Sequence, residues 1–296
     1  MIGYGFERDG IDTVIQQLSG TTASRCVVGM HTLAVAERTV KILERLVGTA
    51  PTWRSDRALV LFPFADPVGS IPGTDLLYGR YLGDQGAIRF DFVDRPEGPY
   101  ACLSHDLIVH EVCHAYLDGT KHWFGWPSGS VETRAITESL GDLAAMISIA
   151  RLKGTRELAL EESDGQLESR SNTLSRFPDI PLTDVLLRDA SLRSTKAEVD
   201  AEHPADSETR AYALSRVISS SLYSAMARRA SDLTIDSRQL ALRDAAHELG
   251  EAAFSGLPSL PDAEVSIADF VTAALTNSDS GFSSRLEEAF SRHGLV

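Results

Sequence analysis

Two histidines four residues apart, His110 and His114, with Glu111 directly after the first, are the residues of this chain best suited to chemistry. On a helix, positions i and i+4 lie one above the other on a single face, so both imidazoles can bind one metal ion. Glu111 sits beside them, where its carboxylate can reach a metal-bound water and accept its proton. The surrounding stretch, Leu107-Ile-Val-His-Glu-Val-Cys-His-Ala-Tyr-Leu117, is an apolar helix of the kind such a pair requires. Ser104 is placed to cap it, with Asp106 in its first turn, where the helix dipole favours a negative charge. His105 reads as a surface or capping residue, and Cys113 as a small core residue pointing away from the histidines.

A catalytic zinc usually has three protein ligands and an open position for water, so one ligand remains to be found. The helix from Val131 to Ile147 supplies it. Glu138 and Asp142 are four apart on one face, which also carries Ala135, Ala145 and Ile149, so both carboxylates project from a stripe expected to be buried. Buried carboxylates need partners. A metal is the natural partner for Glu138, and the ring N–H of a ligand histidine for Asp142, which would fix that histidine's tautomer.

His110-Glu111-x-x-His114, followed after a loop by Glu138-Ser-Leu-Gly-Asp142, resembles the Glu-zincins, and among them the thermolysin-like metallopeptidases, whose second helix carries Glu-x-x-x-Asp. Ser104-His-Asp-Leu-Ile-Val-His-Glu and the following Leu117-Asp-Gly look like a bacterial branch of that family, and the chain's end, from Leu286 to Leu295, looks like the family's last helix. The resemblance implies an α+β fold of two lobes with the His-Glu-x-x-His helix at the cleft. It implies Zn²⁺ held by His110, His114 and Glu138, Glu111 as general base, and Asp142 orienting His110. The implied reaction is hydrolysis of a peptide or protein substrate, as an endopeptidase first, with an aminopeptidase or narrow processing peptidase as the alternative. A zinc-containing interaction protein that cleaves nothing is a further alternative, weakened by Glu111, which serves no purpose in binding alone.

The family stabilises the oxyanion with a histidine at the start of a later helix. Here His203, in Asp200-Ala-Glu-His-Pro, precedes a helix expected from about 207, while a gapless match of that helix puts Tyr212 in the role, and related aminopeptidases use a tyrosine. The family's substrate-binding edge strand corresponds to Tyr78-Gly-Arg-Tyr-Leu82, without the family's Asn. Trp123, Phe124 and Trp126 either wall an apolar side-chain pocket or pack between lobes. No dense acidic loop resembles the family's calcium sites, so calcium is not expected.

These residues must be positioned by a chain of 296 residues, long enough to bury a core in one large domain or two lobes. A helical period from about residue 30 ends at Gly48 and Pro51, and short β-branched and aromatic runs between Arg57 and Val93 predict a small sheet. Helices are predicted at about 131–152, 207–229, 236–253, 265–276 and 282–292, with no comparable strand signal after the motif. The polar stretch from Glu161 to Asn172 reads as a mobile loop. The expected organisation is an N-terminal α/β lobe over 1–119, ending in the motif helix, and a helical lobe over 120–296 carrying the third ligand.

A formal net charge of -14 argues against nucleic-acid and anionic-membrane partners, which need clustered Lys and Arg. Three widely spaced cysteines indicate neither a disulfide framework nor a thiolate metal site. With no signal-peptide pattern or apolar span in the sequence as given, the chain reads as cytoplasmic.

Overall fold

The first helix, α1 (Thr22–Val47), is the first element of a computed structural model that describes residues 22–53, 58–65, 79–91, 101–123, 130–176, 207–233 and 237–296. It starts ahead of the expected position near 30, because Val27, Met30 and Leu33 are exposed and contribute no core-facing period. The buried stripe is carried mainly by Val35, Ala36, Ile42, Leu43 and Leu46.

Among the described residues the β-branched runs form one three-stranded sheet of β1 (Val60–Ala65), β2 (Gly79–Leu82) and β3 (Ala87–Asp91). Its order is β1-β3-β2, with β1 parallel and β2 antiparallel to β3. Pro63 has no N–H to give a ladder, and it sits on an edge strand whose register shifts between Phe62 and Ala65. Central β3 is buried at every position except half-buried Arg89, and its Ile88 and Phe90 are fully buried.

The motif helix α2 (His105–Lys121) packs on β2, β3 and α1. Its far end is tied down by Lys121, whose ammonium donates to the Leu260 carbonyl and pairs with Asp262 at 2.8 Å, and by Trp123, whose indole N–H donates to Pro261 O. Trp123 is therefore a packing residue; Phe124 and Trp126 lie outside the described residues. Helices α3 (Val131–Ala150), α4 (Lys153–Glu162), α5 (Ser207–Asp232), α6 (Arg238–Phe254), α7 (Ile267–Thr276) and α8 (Ser280–Arg292) complete an α+β architecture that is mostly helical. Helices α2 and α3 pack against each other, and one contiguous buried cluster runs from Val28 on α1 to Phe290 on α8. Among the described residues no helix is long and apolar enough to cross a membrane.

Two expectations are corrected. The stretch 161–172 is packed: α4 covers its start, and Asn172 donates through its side-chain amide to Tyr223 Oη, whose own hydroxyl donates to Leu167 O at 2.7 Å. Its polar residues satisfy backbone groups in tight turns over buried Leu167 and Leu174, so polarity there signals turns closed internally. His105 is half-buried and joins α2 to α3 through Nε2 and Ser148 Oγ at 2.9 Å. Burial, with Arg38 and His31 nearby, pulls it down to about 4, so it is a neutral helix-packing residue.

Candidate metal centre

Helix α2 begins as its sequence dictates: the Ser104 hydroxyl accepts from the Leu107 N–H at 3.1 Å, which fixes the rotational phase of the helix. That phase turns His110, Glu111 and His114 into the interior, where all three are buried. Helix α3 is capped in the same way, Ser130 accepting from Thr133 N–H, and it presents Glu138 and Asp142 to the same point.

Three donors converge there. His110 Nε2 and His114 Nε2 are 2.8 Å apart, and Glu138 Oε2 lies 3.3 Å from the first and 3.7 Å from the second. A tetrahedral zinc with bonds of about 2.0–2.1 Å separates its ligands by about 3.3 Å, a value the three distances bracket. The group could hold a metal ion. Either a shared proton, with one ring donating to the other, or a metal ion satisfies two imidazole nitrogens this close, and the adjacent carboxylate balances the charge of either. Asp142 Oδ1 lies 3.2 Å from His110 Nδ1, on the side of the ring away from the donors. A carboxylate there holds the tautomer that leaves Nε2 free to ligate.

The electrostatics follow from the same contacts. Burial works against a charged His110, but the Asp142 and Glu138 carboxylates outweigh it and raise the imidazole well above its ordinary value. Burial likewise opposes ionisation of Glu138, but the charge of His114 and the bonds to His110 and His114 overcome it, so the carboxyl is held far below the usual range. The Glu138 side chain is 15% exposed, more than either histidine, so the ligand group opens to solvent on the Glu138 side.

Glu111 is outside the ligand group but next to it. Its Oε2 accepts from the Tyr81 backbone N–H of edge strand β2 at 2.7 Å, and the Tyr81 hydroxyl donates to Asp118, two turns further along α2, also at 2.7 Å. Strand and helix are in close approach: a Cβ on Gly79 would stand 2.9 Å from Glu111 Cγ.

Of the other sequence candidates, Tyr212 lies on α5 and is 46% exposed. It precedes Ser219 by seven residues, hence shares its face of α5. His203 lies outside the described residues. Cys113 is buried and its thiol contacts Leu140 O, away from the donors, as expected. Cys26, Cys102 and Cys113 are all free.

Two residues that touch this centre were not anticipated. Ser219 on α5 donates to Asp142 Oδ2 at 3.0 Å, a contact across 77 residues that no local pattern encodes. Gly141 faces the His110 ring so closely that a Cβ would fall 2.6 Å from Nδ1, 2.8 Å from Cε1 and 2.9 Å from Cγ. A glycine inside a helix is the signal that could have revealed it, since it costs stability unless something approaches closely. Gly141→Ala is expected to weaken metal binding by about 10–100-fold, the range for perturbing a ligand's support. It should do so although alanine is the better helix former by roughly 0.8–1.0 kcal/mol. Chelator competition checks this, and unchanged affinity would show that the ring relocates freely.

No family model and no curated protein matches the chain.

Proposed function

We propose that the chain is a thermolysin-like zinc peptidase of two lobes that hydrolyses peptide bonds. The observation that carries the reading is Glu111: a buried carboxylate adjacent to the ligand group, outside it, and oriented by a backbone N–H of an edge strand. A structural zinc is normally enclosed by four protein ligands, whereas a catalytic one keeps three and an open position. Among the described residues the group has three donors, on the pattern of the second kind.

His110, His114 and Glu138 would hold the ion, and Asp142 would keep His110 in its ligating tautomer. Zinc, when bound, lowers the pKa of its water toward about 7 and polarises the scissile carbonyl. Glu111 accepts the proton of the attacking water and returns it to the leaving amine. Strand β2 lies at an edge of the described sheet, where an extended peptide can add, and the Tyr81–Glu111 contact sets that edge against the base. His203 and Tyr212 are the two candidates for the oxyanion donor, Tyr212 on the face of α5 that carries Ser219.

The test is digestion of a diverse peptide mixture read by mass spectrometry, with and without chelator and with zinc added back. Internal cleavage that disappears with chelator and returns with zinc is the expected result. Removal of single N-terminal residues would make it an aminopeptidase. No cleavage by protein shown to contain zinc would overturn the peptidase reading.

A further inference from the structure

We propose that Ser219 is a positioning residue of the metal centre: its hydroxyl fixes the Asp142 carboxylate, which in turn fixes the His110 ring with Nε2 aimed at the ion. The inference rests on the metal-binding reading above. Asp142 is a two-sided bridge, with Oδ1 3.2 Å from His110 Nδ1 and Oδ2 accepting from Ser219 Oγ at 3.0 Å. With only the histidine as partner, a carboxylate can rotate about its last torsion; with a donor on each oxygen it cannot.

The placement of Ser219 is itself over-determined. One turn earlier, the buried Ser139 hydroxyl of α3 donates to the Ser215 carbonyl of α5 at 3.2 Å, which sets the spacing of the two helices. A helical serine commonly returns its hydroxyl to the carbonyl four residues before it. Ser221 does so, donating to Val217 O at 2.9 Å, while Ser219, two residues away and equally buried, reaches across to the neighbouring helix. The chain Ser219–Asp142–His110 therefore links α5 to the ligand on α2 through α3. Position of α5 and geometry of the ligand become one quantity.

The experiment compares Ser219→Ala with Ser221→Ala, a buried serine-to-alanine change on the same helix that touches nothing at the centre. Zinc dissociation constants come from chelator competition, and the unfolding midpoint of each metal-free protein is measured alongside. Loss of an outer partner costs a metal site about 10–100-fold; one step further out, Ser219→Ala is expected to cost about 10-fold. Ser221→Ala should bind zinc as the parent does, and Ser219→Ala should have the lower metal-free midpoint, because it takes a donor from a buried carboxylate while Ser221→Ala removes only a bond to its own helix. In an Asp142→Ala background the Ser219→Ala effect should vanish, because the path to the histidine is already cut. Unchanged zinc affinity in Ser219→Ala, or an equal loss in the Asp142→Ala background, would overturn the assignment. Failure of the parent protein to retain zinc would instead bring down the metal reading, and this proposal with it.

Discussion

Glu111→Gln is expected to keep its metal and fold while losing peptide cleavage by roughly 10²–10⁴, the usual contribution of a positioned general base. Glutamine has the same shape, and its amide oxygen can still accept from the Tyr81 N–H that holds the native carboxylate at 2.7 Å. The strand-to-helix contact should survive, and so should the close packing of Gly79 on the side chain. What the amide lacks is proton affinity near neutral pH, and that is the one property the proposed mechanism demands. His110, His114 and Glu138 are untouched, so zinc content measured by atomic absorption should match the parent. Cleavage at the parent rate would remove Glu111 from the chemistry altogether. Loss of zinc together with activity would make it a ligand or a structural prop.

How legible this site was depends on the distance over which each contact is encoded. His110, Glu111 and His114 could be grouped from sequence because helix periodicity alone puts them on one face, and Ser104 as cap follows from local chemistry. Glu138 and Asp142 needed one further step, the cost of burying a carboxylate with no partner, and that cost pointed across helices to the histidines. Ser219 offers no such lever. It is one of several serines on α5, and only the packing of α5 on α3 selects the one that meets Asp142. The stretch 161–172 failed for the opposite reason: composition reports polarity, and polarity does not distinguish a solvated loop from turns whose side chains, like Asn172, bond inward. His105 failed because a helix's first turn is exposed unless another helix covers it, and α3 does so through Ser148. Tertiary context decided all three cases.

Glu138→Ala is expected to raise the zinc dissociation constant by more than about 100-fold, since removing an outer partner alone costs about 10–100-fold and here a ligand is lost. The same substitution should be visible without metal, through pH. Glu138 is held far below its ordinary 4.5, so its contribution to stability is present above that value and is lost as pH falls through its folded pKa. His110 is raised above its ordinary 6.5, so its contribution is complete below that value and is lost as pH rises through the elevated one. In the metal-free protein the pair therefore contributes most between about pH 4.5 and 6.5, the ordinary values of its two members. Glu138→Ala should abolish the loss on the acid side and, by leaving His110 with Asp142 alone, move the alkaline loss to lower pH. Zinc uptake must displace the His110 proton, so parent affinity should climb with pH across the range where that imidazole titrates. Denaturant titrations at a series of pH values in chelator read the first effect, and chelator competition the second. A variant that binds zinc as tightly as its parent would exclude Glu138 from the ligand set, and an unaltered pH profile would show that its carboxylate and the His110 imidazole do not act as one charged unit.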